Sequence, residues 1–131
     1  MGQPIATQTS GGQCFAFPDV CKTPAGTSVV PIPYPNIGDL GSAIKVSMRV
    51  KIGGKPVILQ DSEIPTSSGD EAGSAGGIIS GGIKGKVTFV TSSMKVKVEG
   101  KSVVRMGDTT QQNGTNAVGT VLFGYPTVMA G

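Results

Sequence analysis

The chain has 131 residues and a net charge of +3, with no His and no Trp. That length suits one domain, 1–131, but hydrophobic residues reach only 37% and aromatics 5%, so any core is lean. Without His, the commonest general base and metal ligand is missing, which excludes Ser-His-Asp and Cys-His catalysis.

Glycine (21) and proline (9) fill nearly a quarter of the chain, so much of it must run through turns and close backbone approaches. The lysines at 45, 51, 55, 84, 86, 95, 97 and 101 are dispersed, and aromatics for base stacking are scarce. They read as a solvated surface, not a nucleic-acid site. No stretch approaches the roughly 18 apolar residues of a membrane span, so no stable membrane insertion is expected. Residues 1–12 are polar and lack the apolar core of a signal peptide, which points to a cytoplasmic start.

Residues 1–12 read as a loose N-terminal arm. Residues 14–38 carry Pro18, Pro24, Pro31, Pro33 and Pro35. The alternation Pro31-Ile32-Pro33-Tyr34-Pro35 removes every second amide donor, which predicts an extended or edge segment and neither helix nor central strand. Cys14 and Cys21 flank the start of this segment. Two small reduced residues packed near the surface is the favoured reading, a disulfide the other; no metal site follows from two thiols alone.

The clearest signal is a repeat. Residues 47–58 (SMRVKIGGKPVI) align without gaps on 93–104 (SMKVKVEGKSVV), with seven of twelve positions identical. Each copy alternates apolar and polar residues, turns at Gly53-Gly54 or Glu99-Gly100, and resumes an apolar run. These are β-hairpin signatures, predicting hairpin repeats over 44–60 and 92–108. A third, diverged copy is a hypothesis with no visible sequence. Met48 and Met94 occupy equivalent places and read as core filling.

Between the copies, Gly73, Gly77, Gly81 and Gly85 recur every four residues. A short helix near 71–82 pressed on a sheet is preferred to a Gly-rich loop. Residues 86–90 read as a strand, and 117–128 as one or two strands broken at Gly124 and Pro126. The carboxylates are Asp19, Asp39, Asp61, Glu63, Asp70, Glu71, Glu99 and Asp108; most fall in predicted turns and read as solvated or turn-forming groups. A two-carboxylate enzyme is the remaining catalytic alternative. The fold class is mostly β: short hairpins with pseudo-repeats.

Residues 21–38 (CKTPAGTSVVPIPYPNIG), then 69–81 (GDEAGSAGGIISG), then 95–116 (KVKVEGKSVVRMGDTTQQNGTN) resemble the PAAR-like family, found at the N-termini of secreted toxins and as stand-alone proteins. Val103-Val104-Arg105-Met106-Gly107-Asp108 also resembles the apolar-run, Gly-Asp step of PAAR proteins. The resemblance implies a small conical β-structure. It implies a non-enzymatic tip on a trimeric valine–glycine repeat (VgrG-type) spike of a type VI secretion machine. The tip would sharpen the spike and couple a toxin effector, with an adaptor chaperone as a further partner. A delivery module for a separately encoded toxin is the alternative. It further implies release from the cytoplasm without a signal peptide. Many members hold zinc near the apex through His and Cys. With no His here, that zinc is not expected, and Cys14 and Cys21 are a remnant or a disulfide in its place. No cofactor is expected. Candidate partner-binding residues are Val50, Ile52, Val96, Val98, Val103 and Val104, with ordinary core the alternative for all six and the favoured role for at least half.

Overall fold

The computed structural model describes residues 2–9 and 11–130, with side chains left aside at Pro126 and Thr127. The strands in order are β1 (Gln3–Ile5), β2 (Gln13–Ala25), β3 (Ser28–Asp39), β4 (Lys51–Ile52), β5 (Lys55–Pro56), β6 (Glu63–Ile64), β7 (Gly76–Gly77), β8 (Val87–Phe89), β9 (Lys97–Val98), β10 (Lys101–Ser102), β11 (Thr109–Gln112), β12 (Ala117–Val121) and β13 (Tyr125–Ala130). A 3-10 turn at Leu40–Ser42 is the one helical element among the described residues, and none is long and apolar enough to cross a membrane. The mostly-β expectation holds.

The main sheet is antiparallel, in the order β3-β2-β12-β11-β8-β6, with β7 also pairing to β2. The proline-rich segment forms its long outer ribbon. β3 carries Pro31, Pro33 and Pro35 and lies at the edge, where missing amide donors face no neighbour. Pro18, preceded by a cis peptide bond, falls in the register shift between Ala16 and Asp19, between the part of β2 that pairs β12 and the part that pairs β7.

Two apolar cores lie one above the other. The larger contains Ala6, Cys14, Leu40, Ala43, Ile58, Ile64, Val87, Phe89, Val104 and Val121. The smaller contains Ile5, Val57, Leu59, Val103 and Ala130, with Ile52, Val96, Val98 and Val128 packed against it. Alternation along three short segments separates them: Ala6, Ile58 and Val104 face one core, while Ile5, Val57 and Val103 face the other.

Three expectations are corrected here. Residues 3–7 are not a loose arm: β1 pairs with β13, and Ile5, Ala6 and Thr7 are buried. No helix forms near 71–82; the alternative, a Gly-rich loop, does, because left-handed φ at Gly76 (99°) and Gly81 (79°) interrupts any helical run. Met48 and Met94 are not core: they are 86% and 93% exposed.

Candidate functional site

The two cores are divided by a closed ring of backbone hydrogen bonds. The Ala6 amide donates to the Val104 carbonyl (2.8 Å), Val104 to Ile58 (2.9 Å) and Ile58 back to Ala6 (3.0 Å). An outer set closes in the opposite sense: Gln8 to Pro56 (2.9 Å), Gln60 to Ser102 (2.9 Å) and Met106 to Pro4 (2.7 Å). Segments 4–8, 56–60 and 102–106 are therefore equivalent sides of one triangle. The third copy is residues 4–8. Once aligned by these bonds, Pro4 matches Pro56 and Gln8 matches Gln60, a signal too short to find in the sequence alone.

Each side carries a hairpin. β4 pairs β5 and β9 pairs β10 across two-residue turns with left-handed φ at both positions, 60° and 81° at Gly53-Gly54 and 54° and 82° at Glu99-Gly100. In the third hairpin the arms come from opposite ends of the chain, β1 and β13. The corners interlock. The Glu99 carboxylate accepts from the amides of Met48 (3.1 Å), Arg49 (2.9 Å) and Val50 (3.2 Å), which holds its carboxyl below the usual carboxylate range. At the equivalent Gly53 a Cβ would run into the Tyr125 ring, so that corner seats on β13 without a side chain.

The six predicted partner-binding residues all come to this end, but not to one surface. Val50 is 40% exposed; Ile52, Val96 and Val98 are half-buried around the smaller core. Val103 and Val104 are wholly buried in the triangle, the core alternative for these two and not an exposed partner surface. What the sequence reading missed is the exposed pair Met48 and Met94, on equivalent loops beside the hairpins. Arg49, Lys51 and Lys55, matched by Lys95, Lys97 and Lys101, are exposed with them.

β11 and β12 lead away from this end. Asp108 anchors them, accepting from the Arg105 amide (2.7 Å) and guanidinium (2.7 Å). Four residues later, roughly 13 Å at a strand's rise, they turn at Asn113–Asn116. There lies a buried polar knot. Asp19 accepts from the side-chain amides of Asn36 (3.2 Å), Asn113 (3.2 Å) and Asn116, and from the Cys21 thiol (3.5 Å). Asn36 also donates to Asp70 (3.3 Å), and Asp70 accepts from the Lys84 amide (3.0 Å). Gln112 donates to the Asn36 side chain (2.9 Å). Asp19, Cys21, Asn36, Asp70, Gln112 and Asn113 are at most 1% exposed and Asn116 is 7% exposed. The solvated reading of Asp19, Asp70 and Asp108 is thus corrected.

The knot fixes the Gly-rich loop. Asn116 accepts from the amides of Ile79 (2.8 Å) and Ser80 (3.2 Å), and Asn113 from that of Gly85 (2.9 Å). A Cβ at Gly73, Gly77 or Gly85 would strike Cys21, Asn116 or Asn113, so three of the four spaced glycines serve close packing on the knot, while Gly81 meets open space and holds a left-handed φ. Cys14 and Cys21 are free and fully buried, not surface residues and not bonded to each other. Burial pushes both thiols up to about 12, with Asp19 and Asp70 adding to the effect at Cys21.

Asp19, Cys21 and Asp70 bring three ligand-type atoms within 4.8 Å of one another. They do not fit the zinc that the family resemblance implies. No His completes a tetrahedral set, and amide donors already occupy the Asp19 oxygens.

The family model for the toxin PAAR-like domain matches residues 12–119. The DNase toxin Tse7 of Pseudomonas aeruginosa is 45% identical over 111 residues, 79% of this chain and 29% of that toxin. The chain thus spans less than a third of that relative's length. No solved structure gives a significant match. The triangle of repeats and the family match over most of the residues lead to one assignment: the chain belongs to the toxin PAAR-like domain family.

Proposed function

We propose that this chain caps the end of a trimeric VgrG-type spike of a contractile injection machine, one copy per trimer, with the three-hairpin end as its base. The observation that carries this reading is the closed ring through Ala6, Ile58 and Val104. A single chain is asymmetric by default; three equivalent sides are what it needs to sit on a three-fold axis. Met48 and Met94, nearly fully exposed at equivalent corners, are the apolar anchors. Val50, Ile52, Val96 and Val98 stand beside them, and the six exposed cations on the two repeats suit an acidic rim on the partner. The protein would leave the cytoplasm on the spike, with no enzymatic role of its own. Mixing it with a trimeric valine–glycine repeat spike protein and measuring the mass of the complex tests this. One chain per trimer is expected; no complex, or three chains per trimer, overturns it.

One observation favours a second reading, a delivery module for a toxin. The chain is similar to less than a third of a DNase toxin, which leaves most of that protein outside the match. Co-purification of a toxin or adaptor with this chain, in the absence of spike, is the result that supports it.

A further inference from the structure

We propose that Asp19 and Asp70 hold one proton between them, and that this carboxyl pair, caged by Asn36, Asn113 and Asn116, staples the far end of the fold without a metal.

The geometry carries the argument. Both carboxyls are 0% exposed, and the Asn36 side-chain amide bridges them, donating 3.2 Å to one and 3.3 Å to the other. Two bare negative charges at this separation, cut off from water, repel strongly. No cation offsets them: among the described residues no Lys or Arg amine pairs with either. β2 contributes the Cys21 thiol and the exposed Lys22. β3 contributes neutral Asn36, with the Tyr34 hydroxyl turned to Thr23 (2.7 Å). The β11–β12 turn contributes Asn113 and Asn116, both neutral. The Gly-rich loop contributes Glu71, exposed and turned to the Gly69 amide, and Lys84, whose side chain is exposed and whose backbone amide alone meets Asp70. A proton is the one positive charge left to fill the gap.

The donors also assign its place. Asp19 receives three side-chain amides and a thiol, which suits the ionised partner. Asp70 accepts from two amides, and its carboxyl lies within 4.8 Å of that of Asp19, so it carries the proton. Burial first, then the neighbouring Asp19 carboxylate, raises the Asp70 carboxyl from 3.8 to about 7. Its folded value lies above its unfolded one, so the folded state binds the extra proton. The contribution is fully present below about pH 4 and is lost as pH climbs to 7, approaching tenfold in the folding constant per pH unit. The staple needs no metal loading and tightens in acid.

The test follows the intact protein by chemical denaturation from pH 4.5 to 8.5, alongside Asp70→Asn and Asp19→Asn. Asn at 70 imitates the protonated acid, so this variant is expected to fold and to lose the decline that wild type shows toward pH 7. Asn at 19 leaves several donors facing a weaker acceptor and is expected to be destabilised at every pH. Equal declines in wild type and Asp70→Asn overturn the proposal. Should a variant fail to fold, carbon-13 NMR of aspartate-labelled wild type decides: a carboxyl titrating near neutrality is expected, and titration of all aspartates below pH 5 overturns it. Adding EDTA should leave stability unchanged; a loss with EDTA that zinc ions restore also overturns it.

Discussion

The two ends of this small protein are held together by different chemistry. At the base, backbone amides and carbonyls close a ring between two apolar cores, and side chains only fill the space on each side. At the far end, carboxyl and amide side chains do the joining, and the backbone of the Gly-rich loop hangs from them. A backbone ring tolerates any side chain of suitable size, so it can be repeated and can drift. A side-chain knot works only with its own residues, and each partner left alone in the interior is costly.

Breaking the knot should give the largest effect. Asp19→Ala takes one acceptor from each of three buried side-chain amides and is expected to cost on the order of 3–5 kcal/mol in denaturant unfolding. Hydrogen exchange should show the loss concentrated in residues 69–85, with the ring amides of Ala6, Ile58 and Val104 still the slowest. Next comes Ile58→Ala, which opens a cavity in the larger core directly at the ring and is expected to cost about 3 kcal/mol. Here exchange should rise at both ends, because the ring is the layer they share.

The sharper contrast comes from substitutions that leave the fold alone. The double variant Met48→Ser and Met94→Ser changes side chains 86% and 93% exposed, so stability should move by no more than about 0.5 kcal/mol. Affinity for a trimeric spike should fall at least about tenfold, the loss of one modest hot spot; unchanged affinity would remove these residues from the base. The smallest effect is expected for Glu99→Gln, which weakens the cap on the amides of Met48, Arg49 and Val50. The Glu99 carboxyl sits below its usual range when folded, so its contribution exists at neutral pH and disappears as pH falls through that lowered value. Wild type should lose this small advantage over the variant in acid, opposite in direction to the knot.

The same contrast explains what the sequence could reveal. Two sides of the triangle were legible because 47–58 and 93–104 keep the turn, the alternation and most identities. The third was not, because its arms, 3–5 and 125–130, are as far apart in the chain as two segments can be. The prolines of β3 announced an edge strand through a local rule about missing donors. The knot draws on Asp19, Asn36, Asp70, Gln112, Asn113 and Asn116, separated by up to 97 positions, and each alone reads as a turn residue. Recurring glycines suggested a helix because spacing alone does not distinguish a helix face from a loop pressed on side chains. Met48 and Met94 looked like core because an exposed Met has no reason of its own until a partner is considered.

The central claim is that the three-hairpin end, and not the knot end, meets the spike. A photo-crosslinking residue placed at position 48, at 94, or at 30 near the tip of the β2–β3 ribbon tests it directly. Crosslinks to the spike from positions 48 and 94, and none from 30, are the predicted result. Crosslinks from position 30 with silence at 48 and 94 would contradict it.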